Sequence, residues 1–278
     1  MIEANGVELC AESFGERGDP PIILVMGMAG SMLWWDERFC RMLAGAGRFV
    51  IRYDHRDTGR SVAYEPGDPG YTGADLAADI AGVLDAYGIP AAHVVGLSMG
   101  GALAQVLALD RPDRVLSLVL ISTSPAVPGE RELPPITERL RDFVATRQAD
   151  WSDPESVTEY LVDYSRMLAG EGRPFDEARI RELARRDFER AGNFAASQNH
   201  GALADDGVSS DPLSSIAVPT LVIHGSDDPM FRPEHGRALA GEIPSASLLV
   251  LEGAGHGVER ADWETIVAAI ADHTAGAS

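Results

Sequence analysis

Two periodicities divide the chain. Residues 7–14 (Val-Glu-Leu-Cys-Ala-Glu-Ser-Phe) alternate apolar and polar, which predicts one N-terminal strand. Continuous apolar runs at 21–26, 48–53 and 115–121, and again at 219–224 and 247–251, predict buried strands, the first two ended by Gly27 and Asp54. Residues 74–87 instead carry apolar side chains at 76, 77, 80, 83, 84 and 87, the stripe of a helix. A further strand at 93–95 is followed by a helical pattern over 102–109. Buried runs separated by helices predict an α/β fold, with a mostly parallel central sheet flanked by helices on both faces.

That rhythm stops after the strand at 115–121. Helical patterns dominate from 124 to 211, clearest at 137–147, 156–168 and 176–191, and charged residues fill much of 177–190. The chain then returns to strands, and a helix from 261 to about 273 closes it. The domain organisation expected is a core of residues 1–123 and 213–278, with a helical cap, 124–212, inserted between two strands.

The pentapeptide Gly96-Leu97-Ser98-Met99-Gly100 lies between strand and helix and has the G-x-S-x-G form of a nucleophile elbow. Its turn is so sharp that the serine backbone is strained, and side chains two residues away on either side would collide. Ser98 is therefore the candidate nucleophile, exposed at a strand end with helical N–H groups behind it. A serine hydroxyl needs a base. Of seven histidines, His256 alone sits in a Gly-rich loop, Gly253-Ala254-Gly255-His256-Gly257, directly after the last strand. The acid that orients it is expected after the strand at 219–224, where Asp227 and Asp228 are chemically equivalent candidates. Pro229 restricts the backbone of the second, and Asp228 is preferred.

Two backbone N–H groups should bind an oxyanion. Met99 follows the nucleophile, and Met28 lies in the loop Gly27-Met28-Ala29-Gly30 after the second predicted strand. Gly27, Trp34, Trp35, Phe194 and His200 are candidate pocket residues. The alternatives are that one tryptophan is core while the other supports the cap, that Phe194 packs between cap helices with Trp151, Tyr164 and Met167, and that His200 lies on the surface. The segment Asp54-His55-Arg56-Asp57-Thr58-Gly59-Arg60-Ser61 reads as a turn network bracing the site, in preference to catalysis.

Composition narrows the partners. With 23 Lys+Arg against 43 Asp+Glu, the net charge of −20 opposes nucleic acid and anionic lipid. At 278 residues and 45% hydrophobic content the chain can bury a large core. Cys10 and Cys40 have no metal-like spacing and predict neither a disulfide framework nor a metal site. The first six residues lack a basic start and an apolar stretch, and no run nears the roughly 18 residues of a membrane span, so a cytoplasmic protein is expected, as monomer or homodimer.

Together these pieces resemble the α/β-hydrolases over nearly the whole chain, and the order Ser98, Asp228, His256 is theirs. The runs Ile51-Arg52-Tyr53-Asp54-His55-Arg56-Asp57-Thr58-Gly59-Arg60-Ser61 and His93-Val94-Val95-Gly96-Leu97-Ser98-Met99-Gly100 are most similar to the aclacinomycin methylesterases of anthracycline biosynthesis. The resemblance implies a cofactor-independent serine hydrolase acting on a small apolar or aromatic ester, such as the methyl ester of a polyketide-like molecule. The same triad would serve a perhydrolase, a thioesterase or a carbon–carbon hydrolase, and the fold alone would serve a noncatalytic ligand-binding protein.

Overall fold

The computed structural model describes residues 1–129, 131–203, 209 and 211–276. Seven strands form the main sheet: β3 (Ala11–Phe14), β4 (Pro21–Val25), β5 (Phe49–Tyr53), β6 (Ala92–Leu97), β7 (Val115–Ile121), β8 (Thr220–Gly225) and β9 (Ala246–Leu251), in spatial order β3-β5-β4-β6-β7-β8-β9. Only β3 runs antiparallel. Side chains from one strand serve both faces, as a sheet covered on both sides requires. Ile23 and Val25 join a core with α2 (Gly73–Tyr87), α3 (Met99–Asp110) and α7 (Pro233–Glu242), whereas Ile22 and Leu24 join a second core with α1 (Glu37–Gly45) and α8 (Trp263–Ala275).

The N-terminal strand differs from its sequence reading. Ile2–Ala4 (β1) and Val7–Leu9 (β2) pair as a separate antiparallel hairpin around Asn5-Gly6, whose φ values of 47° and 75° suit a two-residue hairpin turn. The chain changes partner at Cys10, whose N–H donates to Ser61 Oγ while its carbonyl accepts from Asp54. The reading also passes over α1 and α7. Three side chains of nine in α1 are buried, and its start is set by Asp36, which accepts from the Arg38 N–H at 2.9 Å.

Between β7 and β8 lie the cap helices α4 (Glu138–Thr146), α5 (Pro154–Leu168) and α6 (Glu177–Arg190), followed by a 3-10 run, Phe194–Ala202. Polar contacts seat the cap on the core: Arg190 on Asp54 at 2.7 Å, Gly192 N–H on the Gly59 carbonyl at 3.0 Å, and the His256 N–H on the Leu168 carbonyl at 2.8 Å. Among the described residues no helix is long and apolar enough to cross a membrane.

Register places the site. Val25 pairs with Gly96, Leu97 with Ile121, Ile121 with Ile223 and Gly225 with Leu251. The C-terminal ends of β4, β6, β7, β8 and β9 therefore form one row. In open α/β sheets this is the edge outside which ligands bind, because every following loop converges there.

Candidate active site

Ser98 stands between β6 and α3 with φ 53° and ψ −120°, a conformation few L-residues adopt. The surroundings hold it there. Its N–H donates to Ile121 O at 2.9 Å, and its carbonyl accepts from Thr123 Oγ1 at 2.7 Å and Gly101 N–H at 2.9 Å. A Cβ at Gly96 would overlap the Gly100 carbonyl, and one at Gly100 would overlap the carbonyls of Val25 and Met26. Glycine at both places is thus what lets α3 begin this close to the sheet.

Asp228 and His256 come from the loops after the adjacent strands β8 and β9. His256 Nδ1 lies 2.8 Å from Asp228 Oδ2, and Asp228 Oδ1 accepts the N–H groups of Met230 at 2.8 Å and Phe231 at 2.9 Å. Because a carboxylate only accepts, the imidazole carries its proton on Nδ1, leaving Nε2 free to take one. Asp228 is buried, whereas Asp227 is exposed and, among the described residues, its carboxylate bonds only to neighbouring Ser226 Oγ, at 3.0 Å. Burial alone would push the Asp228 carboxyl up. His256, His224 and the Phe231 N–H outweigh it and hold the group below the usual carboxylate range.

The loop after β4 lies directly against Ser98: a Cβ built on Gly27 would stand 3.3 Å from Ser98 Cβ. Its turn is closed by Gly30 N–H on the Gly27 carbonyl at 3.3 Å, and Ala29 has φ 60°. The Met28 N–H inside this turn has no partner among the described residues. Met99 opens α3, where backbone N–H groups have no intrahelical acceptor.

The remaining pocket candidates part company. Trp35 is 1% exposed, stacked on Phe39 at 5.8 Å inside the core, so it walls no pocket. Trp34 packs on the same core and commits its N–H to Asp187 of α6. Phe194 is buried in the cap, stacked on Trp151 at 6.4 Å and tilted against Phe188 at 5.3 Å. His200 is likewise buried, and both ring nitrogens are occupied by protein: Nδ1 by Ala29 N–H at 3.0 Å and Nε2 by Arg56 O at 2.8 Å. It has no free nitrogen for a substrate. Phe231, absent from the sequence reading, lies with its ring 5.6 Å from that of His256. Its signal was its place three residues after Asp228, where an aspartate commonly bonds the following backbone.

The segment 54–61 is a polar hub. Asp54 accepts from Met32 N–H at 2.9 Å and Arg60 N–H at 3.0 Å, Arg56 pairs with buried Asp79 at 2.7 Å, and Asp57 accepts from Tyr71 at 2.6 Å. Two clefts, of about 600 and 310 Å³, lie at the sheet edge beside α6, lined by Arg52, Arg186 and Glu37, and contain none of the three candidate catalytic residues. Convergent chemistry, not cavity size, marks the candidate site.

A family model described as alpha/beta hydrolase fold matches residues 20–258. The rhodomycin D methylesterases DauP of Streptomyces sp. (strain C5) and DnrP of Streptomyces peucetius are each 37% identical over 293 residues, covering 100% of this chain and 98% of theirs. Among solved structures, the esterase EaEST from Exiguobacterium antarcticum superposes with a TM-score of 0.78 at 21% identity, covering 99% of this chain and 98% of its own, and so shares the fold. The family model spans residues 20–258 and both relatives match over the full length, and the chain is a hydrolase belonging to the α/β-hydrolase family.

Proposed function

We propose that this hydrolase cleaves a carboxylic ester through an acyl-enzyme on Ser98. The observation that carries the reading is the 2.8 Å bond from His256 Nδ1 to buried Asp228, which leaves Nε2 as base on the strand-end row where strained Ser98 stands. Nε2 takes the hydroxyl proton as Oγ attacks the ester carbonyl, and the imidazolium is stabilised by Asp228. The N–H groups of Met28 and Met99 receive the oxyanion. Collapse breaks the bond to the alkoxy oxygen, which leaves as the alcohol with the proton from Nε2. Water then enters by the same route in reverse and releases the acid.

The substrate we infer is a small aromatic ester, a methyl ester on a planar polycyclic acid being the leading case. Its support is the 37% identity over full length to two rhodomycin D methylesterases. Aromatic surface in the cap adds to it: Tyr160 and Tyr164 stack at 6.0 Å, with Phe143 on Tyr164 at 6.1 Å. Residues 124–212 then act as the cap that sets specificity.

The test is intact-mass analysis after fluorophosphonate treatment, beside hydrolysis of p-nitrophenyl acetate and release of methanol from aromatic methyl esters. A single adduct on Ser98, with turnover lost in Ser98→Ala, is the expected result. No adduct and no turnover would leave a binding protein on a hydrolase fold.

A further inference from the structure

The loop of residues 26–30 is gripped by a histidine at each end. His55 Nε2 lies 3.0 Å from the Met26 carbonyl, and His200 Nδ1 lies 3.0 Å from the Ala29 N–H. The backbone partners dictate the tautomers. A carbonyl only accepts, so His55 Nε2 bears a hydrogen; an amide only donates, so His200 Nδ1 bears none, and its Nε2–H donates to Arg56 O at 2.8 Å. The two rings meet edge to face at 5.8 Å. Burial pushes the His200 pKa down, which keeps the ring neutral and able to accept.

This grip has something to hold. A non-glycine residue at φ 60° is disfavoured, and such conformations persist only where the surroundings over-determine them. The turn's own bond, Gly30 to Gly27, is long at 3.3 Å.

We propose that His200 of the cap is a positioning residue for the oxyanion loop: by accepting the Ala29 N–H it holds the turn that presents the Met28 N–H to Ser98. The inference rests on the hydrolase reading above and deepens it. The loop and its clamp are 171 residues apart in sequence. The oxyanion site is therefore complete only when the 194–202 run of the cap is seated, so the cap serves catalysis even for substrates too small to touch it.

The test uses the full chain, p-nitrophenyl acetate and a fluorophosphonate, with His200→Asn, His200→Gln and His200→Leu. The Asn carbonyl can take the place of Nδ1 and keep the Ala29 bond. The Gln amide can take the place of Nε2 and keep only the Arg56 bond. Leu keeps neither. Loss of one oxyanion donor costs about 10²–10³ in kcat, so a displaced donor should cost Leu and Gln roughly 10- to 100-fold, with KM changed less than about threefold. Asn should stay within about fivefold of wild type. Should Leu fail to fold, the Asn and Gln pair decides. Wild-type kcat in Leu, or rescue by Gln and not by Asn, would overturn the proposal while Ser98 labelling of the wild type left the hydrolase reading standing. Absence of labelling and turnover in the wild type would overturn both.

Discussion

The indole N–H of Trp34, half-buried after β4, donates to the Asp187 carboxylate of cap helix α6 at 2.8 Å. Asp187 is 2% exposed, and burial pushes its pKa up from 3.8 to about 6, with Asp54 adding to the rise and Ser31, Trp34 and Arg190 opposing it. The sign of the consequence follows. A folded-state pKa above the unfolded one means the native state holds the proton more tightly, so this group's contribution is fully present below about pH 4 and is lost as pH rises through about 6. Asp187→Asn keeps an acceptor for Trp34 without the charge. It should stabilise the protein by about 2–3 kcal/mol at pH 7.5 and by little at pH 4. Urea unfolding at the two pH values measures this, and an equal effect at both would refute the electrostatic account.

Turnover should depend on the Ser98, His256 and Asp228 set as a unit. Ser98→Ala and His256→Ala should each lower kcat by roughly 10⁴ or more, and the double variant scarcely further. Asp228→Asn should cost roughly 10⁴, because an amide no longer secures the tautomer with Nδ1 protonated. Initial rates on p-nitrophenyl acetate, normalised by mass-determined active fraction, give these ratios. Additive losses would show that the three do not act together.

The Arg56–Asp79 pair, whose side chains are 6% and 0% exposed, braces the 54–61 hub against α2 through contacts of 2.7 and 2.8 Å. Asp79→Leu alone leaves a buried guanidinium without its partner and should destabilise by about 3–5 kcal/mol. Arg56→Met added to it should restore a large part of that loss. A double-mutant cycle by urea denaturation reads the coupling, and two independent, additive losses would show that the pair is not the cause.

Glycine to alanine changes should split by location. At Gly100 the new methyl meets the Val25 carbonyl at the elbow, and overpacking of about 3 kcal/mol or outright failure to fold is expected. At Gly241, within α7 and with nothing inside 4 Å of the added Cβ, alanine should stabilise by about 0.5–1 kcal/mol. Melting curves of the two variants separate close approach from chain entropy.

Much of this was legible in the linear chain because it depends on neighbours in sequence. Strand β7 spans 115–121 as the apolar run predicts, and helices α4, α5 and α6 begin and end within about two residues of their periodic patterns. The hairpin at Asn5-Gly6 carried a readable turn signal too, although alternation past Cys10 masked the change of partner. Helices α1 and α7 were missed for other reasons. In α7 only Leu239 joins His235 and Gly236 on the buried face, so the periodic signal is thin, whereas α1 carries Phe39, Cys40 and Leu43 at helical spacing, a stripe only nine residues long that the sequence reading passed over.

What the sequence by itself determined is the order of the main-sheet strands and the cap helices, the elbow with its two required glycines, and the succession of serine, aspartate and histidine at strand ends. These follow from period and local sterics, which act over a few residues. Tertiary structure buried against His256 the aspartate that Pro229 had only favoured, and it alone decided which of two adjacent tryptophans enters the core while the other reaches the cap. It also turned His200 from a pocket candidate into a clamp on Ala29. The reason is common to all three: side chains of like chemistry are sorted by partners distant in the chain, and register and burial, not composition, bring those partners within reach.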